Sequence, residues 1–295
     1  MLKLPGWIKK DIPRKRILLN AESGGTYSIL KNYKLNTVCQ EAKCPNIYGC
    51  FNKKTATFMI LGSRCTRSCK FCGVEKGRVS KIDEDEPLRI VEAAKKLDLK
   101  YVVITSVTRD DLPDGGARQF AKVIKLIREE LSGVRVEVLV PDFSGDNNSI
   151  DILIDEGPDV FNHNIETVPR LYEIIRPGAD YYRSLAILKY VKKNKKNIYT
   201  KSGLMLGLGE KKGEVIAVLN DLKKNKCDFI TIGQYFKPGR KNIDVSEYIT
   251  KDKFVEFENI AKDMGFLGVF SGTWVRSSFH AEEMMNIGAR FMNPP

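Results

Sequence analysis

Thr55-Ala56-Thr57-Phe58-Met59-Ile60-Leu61 is followed, after three residues, by Cys65-Thr66-Arg67-Ser68-Cys69-Lys70-Phe71-Cys72. The first seven are apolar and β-branched enough to read as a strand, and the cysteines, spaced CxxxCxxC, come directly after it. From here on, apolar runs alternate with helical patterns. Pro87 opens a helix through Leu97 with Val91, Ala94 and Leu97 at helical spacing. Strands are expected at Tyr101–Val107, Arg135–Val140, Val160–Ile165, Tyr199–Leu208, Phe229–Phe236 and Leu267–Phe270. Helices are expected at Ala117–Leu131, Ile150–Asp155, Ser184–Val191, Glu214–Lys223 and Phe254–Met264. Such β–α alternation argues for parallel strands with crossover helices. The expected fold is α/β, a partial TIM-type (β/α) barrel of six or so parallel strands.

In such folds the active site gathers at the C-terminal ends of the strands. The cysteine motif follows the first strand, and several polar groups end later ones: Thr105-Ser106-Val107-Thr108-Arg109-Asp110-Asp111, His163-Asn164-Ile165-Glu166-Thr167, Lys201 with Gly207–Glu210, and Gln234-Tyr235. Polar residues merely ending strands would account for any one of these, and for the whole set less well. The first 54 residues lack the alternation and read as an N-terminal extension. Residues 55–270 form the barrel segment and 271–295 a C-terminal extension.

The chain has 295 residues, 42% hydrophobic and 29% charged, the composition of a globular protein with a sizeable core. No stretch approaches the roughly 20 apolar residues of a membrane span. The opening Met1–Lys10 has no apolar core of a secretory signal, so a cytoplasmic location is expected. Net charge is +12, which favours acidic partners. Lys9, Lys10, Arg14, Lys15 and Arg16 crowd the N-terminus; Lys192, Lys193, Lys195 and Lys196 read as a solvated helix end.

Six of the seven cysteines form two triplets, Cys39/Cys44/Cys50 and Cys65/Cys69/Cys72, separated by fourteen residues. Clustered cysteines without an export signal point to metal or redox chemistry rather than disulfides. Three ligands at CxxxCxxC fit neither a four-ligand zinc site nor a ferredoxin run ending in Cys-Pro. A four-iron cluster on three thiolates leaves one iron open. With Phe71 before the last cysteine, the motif resembles the radical S-adenosylmethionine (SAM) superfamily signature. The resemblance implies that Cys65, Cys69 and Cys72 hold a [4Fe–4S] cluster whose open iron is chelated by SAM. The reduced cluster then cleaves SAM to methionine and a 5′-deoxyadenosyl radical.

The first triplet is spaced CxxxxCxxxxxC and contains Cys44-Pro45-Asn46. Within the superfamily this pattern is similar to that of the lipoyl synthases. So are Arg109–Gly116, Asn162–Thr167, Lys201–Glu210 and Arg276-Ser277-Ser278-Phe279-His280-Ala281, so the resemblance covers nearly the whole chain. It implies a sulfurtransferase that inserts two sulfur atoms, at C6 and C8 of an octanoyl chain on a carrier-protein lysine. An auxiliary [4Fe–4S] cluster on Cys39, Cys44 and Cys50 is the implied sulfur donor. Its fourth ligand is a serine of the Arg-Ser-Ser motif, Ser278 rather than Ser277; an oxygen ligand binds iron less softly than thiolate and leaves more readily. Without the resemblance, the two serines would read as a turn or helix cap. Phe279 stands where the family usually has Tyr.

Thr105, Ser106, Asn164, Glu166 and Lys201 are the expected SAM-binding residues, by strand-end position and by resemblance. Arg276 reads as placing the serine or binding a carboxylate. Cys227 reads as a small buried hydrophobe, His163 and His280 as hydrogen bonders, and Met284 and Met285 as packing residues. The implied partners are an octanoylated lipoyl carrier domain or glycine-cleavage H-type protein and a low-potential electron donor such as flavodoxin or ferredoxin, with no nucleic acid and no membrane. Two other functions compete. A sulfur inserter acting on tRNA would suit the charge but usually carries an RNA-binding domain, and none follows residue 270. An electron carrier would have no reason to leave two clusters short of a thiolate.

Overall fold

The protein is described by a computed structural model over residues 2–11 and 25–292. Arg14, Lys15 and Arg16 of the basic N-terminal run lie outside the described residues. A short helix, α1 (Gly6–Asp11), comes first. The chain divides into two compact units, Lys10–Arg67 with Gly73–Asp159, and Met1–Lys9 with Ser68–Cys72 and Val160–Pro295. No helix among the described residues is long and apolar enough to cross a membrane.

In the first unit the N-terminal extension forms α2 (Thr26–Asn32), β1 (Asn36–Thr37), α3 (Val38–Glu41) and α4 (Ile47–Asn52). These helices are of four to seven residues, too short for periodicity to reveal. The Thr26 hydroxyl donates to the Phe51 carbonyl (2.7 Å), tying α2 to α4. β2 (Thr57–Ile60) follows, buried at every position, then the two-residue strands β3 (Arg64–Cys65) and β4 (Glu75–Lys76). α5 (Glu86–Leu97), β5 (Tyr101–Ser106), α6 (Ala117–Glu130), β6 (Arg135–Leu139) and α7 (Asn147–Asp155) complete the unit. β1 pairs antiparallel with β2, whereas β2, β5 and β6 run parallel in that order. Val102, Ile104, Val136 and Val138 on the strands, and Val91, Phe120 and Ile124 on α5 and α6, are all fully buried.

The second unit carries β7 (Val160–Asn162), α8 (Tyr172–Ile175), α9 (Tyr181–Asn194), β8 (Tyr199–Leu206), α10 (Lys212–Lys224), β9 (Phe229–Gln234), α11 (Lys251–Asp263), β10 (Gly268–Gly272) and α12 (Ala281–Met292). All four strands run parallel in chain order. Two departures from expectation have local causes. β7 ends at Asn162 rather than Ile165, because Glu166 adopts a left-handed φ of 66° and rejoins the ladder only as a bridge to Leu204. The last helix, α12, was not legible because Gly288 interrupts its pattern. That glycine is required: a Cβ there would meet the Phe229 ring at 2.5 Å. Met284 and Met285 are buried on it, as their reading as packing residues anticipated.

Candidate active site

The first triplet lies wholly within the first unit. Cys39 stands on α3, whose Thr37 cap accepts from the Gln40 amide. Cys44 follows in a turn closed by its amide donating to the Cys39 carbonyl (2.9 Å), and Cys50 stands on α4 with its amide donating to Asn46 (3.0 Å). Burial pushes the Cys39 thiol up to about 12 and the Cys50 thiol up to about 11, and Cys44 adds to both. The local fold therefore brings the three thiols close enough to feel one another. Thiols this reluctant to ionise become thiolates only beside a metal. None of the seven cysteines forms a disulfide. No three Cys, His, Asp or Glu side chains among the described residues converge tightly enough for one metal ion. An iron–sulfur cluster takes one thiolate per iron, so its ligands stand further apart than those of a single ion, and the donor set fits such a cluster.

The second triplet is divided by the chain, Cys65 falling in the first unit and Cys69 and Cys72 in the second. Around Cys65, the Arg67 amide donates to Cys65 Sγ (3.4 Å). The Thr66 amide and hydroxyl both donate to the Thr108 carbonyl, at 3.1 and 3.0 Å. The Arg67 guanidinium pairs with Asp110 and with the fully buried Asp142, both at 2.7 Å. Burial would lower the Arg67 pKa, but these two carboxylates hold it above its ordinary value. Arg109 is buried and donates twice to Asp111 (2.8 Å each) and once to the Leu61 carbonyl (3.2 Å). The Arg-Asp-Asp stretch thus ties the end of β2 and the cysteine loop to the loop after β5. At the end of β5, Thr105 donates its hydroxyl to the Leu139 carbonyl (2.8 Å), while the buried Ser106 Oγ has no hydrogen-bond partner.

In the second unit, the Cys69–Cys72 loop is held by its backbone. Lys70 donates to the Ile175 carbonyl (2.8 Å), and the Ile243 amide donates to the Lys70 carbonyl (3.1 Å). Asn242 Nδ2 donates to the carbonyls of Lys70 (3.1 Å) and Cys72 (2.8 Å). Beyond β7, Asn164 Nδ2 donates to Glu166 Oε1 (3.0 Å) and to Ser277 Oγ (2.5 Å), and its Oδ1 is buried with no partner. Burial pushes the Glu166 carboxyl up, against the opposing pull of Arg176 and the Asn164 bond. Lys201, on β8, is 1% exposed.

Arg176 is a residue the sequence reading missed. Its Nη1 donates to the carbonyls of Asn164 and Ile165 and to the Tyr172 hydroxyl, at 3.0, 3.2 and 2.8 Å. Burial works against its charge, but Tyr172, Glu166 and Cys69 together hold its pKa up. No motif or spacing in the sequence signals it. Gly203 leaves the space at this site: a Cβ there would lie 2.7 Å from Asn164 Oδ1 and 3.0 Å from both Ser277 Oγ and Thr231 Oγ1. Gly233 does the same for the Val275 carbonyl, at 2.2 Å.

Other expectations find their places. Arg276 donates to the Val275 carbonyl (2.6 Å) and lies over the Phe236 ring at 5.5 Å. Glu210 accepts from the amides of Gly207 (2.5 Å) and Leu208 (2.9 Å), closing the glycine-rich turn after β8. His163 Nε2 meets Ser184 Oγ at 3.0 Å and His280 Nδ1 meets Glu283 at 2.6 Å, both hydrogen bonders. Cys227 is 1% exposed, a small buried thiol whose ionisation burial disfavours. Of the lysine run, Lys192 departs from a solvated role by pairing with Asp228 (2.6 Å).

The Radical SAM superfamily profile matches residues 59–222. The chain is 53% identical over 281 residues to the lipoyl synthase of Caldanaerobacter subterraneus subsp. tengcongensis, covering 95% of this chain and 96% of that one. It is 54% identical over 257 residues to the lipoyl synthase of Aquifex aeolicus, covering 87% and 93%. Among solved structures, methylornithine synthase (PylB) aligns over 81% of this chain and 73% of its own with a TM-score of 0.57 and 14% identity. HydG, a maturase of the [FeFe]-hydrogenase, aligns over 78% and 54% with a TM-score of 0.55 and 21% identity. At those identities the two structures speak for the α/β fold alone.

Proposed function

The chain belongs to the radical SAM superfamily and, within it, to the lipoyl synthases, and on that premise we propose how its residues divide the insertion of two sulfur atoms into a carrier-bound octanoyl chain. When bound, SAM on a [4Fe–4S] cluster would supply a 5′-deoxyadenosyl radical, and a second, auxiliary cluster would supply the two sulfur atoms, one to C6 and one to C8. Cys65, Cys69 and Cys72 hold the first cluster and leave one iron for SAM. Cys39, Cys44 and Cys50 hold the auxiliary cluster, and Ser278, of the two serines in the Arg-Ser-Ser motif, completes it. Functionally, residues 1–54 bring the auxiliary cysteines, 55–270 the SAM machinery and 271–295 the serine.

Ser106 Oγ and Asn164 Oδ1, each buried without a partner, are assigned to polar groups of SAM. Glu166 is assigned as a buried acceptor and Lys201 as a buried cation for the same cofactor. Thr105, whose hydroxyl is committed to Leu139, acts by fixing the strand end that carries Ser106. The octanoylated carrier is an acidic lipoyl domain or H-type protein, suited to a chain of net charge +12. A reducing cytoplasm would keep all six thiols available for iron.

One observation carries the division: the extension places Cys39 and Cys50 on two neighbouring short helices with Cys44 in the turn between them, all within one unit and apart from the SAM motif in sequence. Anaerobic reconstitution followed by SAM cleavage tests it. An octanoyl-lysine peptide should raise 5′-deoxyadenosine formation, whereas tRNA should not; stimulation by tRNA alone would overturn the assignment.

A further inference from the structure

The loop after β9 has two sides. On one, Asn242 and Ile243 hold the backbone of Lys70 and Cys72 through three hydrogen bonds of 2.8–3.1 Å. On the other, the same loop walls a cavity of about 560 Å³ whose apolar surface comes from Leu2, Leu4, Phe236, Val245 and Tyr248. Leu2 is 50% exposed. Lys3 and Arg240 line the cavity as well, and Lys241 follows next in the chain; all three are exposed. Nearby, Lys237 is paired with Asp244 (2.8 Å) and Glu247 with Lys253 (2.6 Å). Lys3, Arg240 and Lys241 make no ion pair among the described residues, so the rim is basic. An apolar dish rimmed by unpaired cations has the make-up of a surface for an acidic protein.

Resting on the reading above, reductive cleavage of each SAM consumes one electron. The established reaction does not generate that electron, so it must arrive from a reduced protein that docks next to the cluster loop. We propose that this dish, walled by the loop that clamps Cys69–Cys72, is the docking surface for an acidic low-potential electron donor, a flavin or iron–sulfur protein. One electron leaves the donor's reduced cofactor, which is oxidised by one equivalent. One SAM-binding cluster is reduced by the same equivalent, and no proton or group is transferred. The cations steer the donor, and the apolar floor seats it. An octanoylated carrier is also acidic, but nothing about its reaction calls for contact with the wall of the cluster loop.

The test uses the reconstituted holoenzyme carrying Arg240→Glu and Lys241→Glu, with reduced flavodoxin or sodium dithionite as reductant. Flavodoxin binding, read by isothermal titration at two salt concentrations, should weaken about tenfold and lose its salt dependence. The flavodoxin concentration giving half-maximal 5′-deoxyadenosine formation should rise to match. Dithionite, which needs no docking surface, should drive parent and variant equally. Unchanged flavodoxin binding would overturn the proposal. So would a rise confined to the half-saturating concentration of the octanoylated carrier domain, which would give the surface to the substrate. An equal fall with dithionite would mean the substitutions damage the cluster loop, and would also overturn it. Absence of SAM cleavage with dithionite in the parent chain would instead strike at the underlying enzymatic reading.

Discussion

Asn164 donates its side-chain amide to Ser277 Oγ, joining the segment just beyond β7 to a serine 113 positions further along the chain. One of the two adjacent serines is thereby given a structural task, and the other, Ser278, is the one proposed for iron. Ser277→Ala should lower stability by about 1 kcal/mol, the net worth of one such bond, and leave iron content and lipoyl product intact. Ser278→Ala should keep SAM cleavage while losing dithiolation. Iron analysis and product mass on the two variants distinguish them, and full lipoyl product from Ser278→Ala would reverse the assignment.

Gly203 is the narrowest point of this arrangement. Its Cα faces three oxygens, and a methyl would come within 2.7 Å of Asn164 Oδ1. Gly203→Ala should cost about 1–3 kcal/mol as overpacking does, and weaken SAM binding by more than the loss of folded protein explains. Urea unfolding with equilibrium dialysis of SAM measures both. Unaltered SAM affinity would mean that Asn164 and Ser277 have room to move aside.

The buried Arg109 holds the Asp111 carboxyl below the usual aspartate range by hydrogen bonding. A depressed folded value means that this contribution to stability is present above the ordinary aspartate pKa. It is lost as pH falls through the lowered one. Asp111→Asn should therefore be less stable than the parent at pH 7 and show a flatter acid limb. Urea midpoints of the iron-free chain from pH 7 to pH 3 report the difference, and parallel curves would contradict the pairing.

Phe279 replaces the tyrosine usual in this motif. Its ring stacks on His280 (4.2 Å between centroids) and meets Phe270 edge-on (6.3 Å). Packing accounts for the side chain, so Phe279→Tyr should leave the unfolding midpoint within about 0.5 kcal/mol of the parent, with turnover unchanged. A clear gain in turnover would show that the missing hydroxyl contributes to the reaction.

The parallel strands could be read from the sequence because runs such as Tyr101–Ser106 and Phe229–Gln234 are buried on both faces and are nearly unbroken apolar stretches. The cysteines could be read because their spacing is itself the chemistry. The extension's helices escaped notice because their four to seven residues complete barely two turns. The shortening of β7 depends on the backbone of Glu166, a residue type that ordinarily avoids φ of 66°. Arg176 was invisible for a different reason. Its bonds to the Asn164 and Ile165 carbonyls form only once α8 has folded back beside the strand end, and no local spacing encodes that return.

The most direct test of the two-cluster account is the mass of the product formed on an octanoyl-lysine peptide by enzyme reconstituted with sulfur-34 sulfide. With SAM and reductant, the peptide should gain two sulfur atoms, both heavy, and Cys39→Ala enzyme should release 5′-deoxyadenosine without adding any. Sulfur of natural abundance in the product, or normal lipoyl formation by Cys39→Ala, would contradict the assignment of Cys39, Cys44 and Cys50 as the sulfur-donating site.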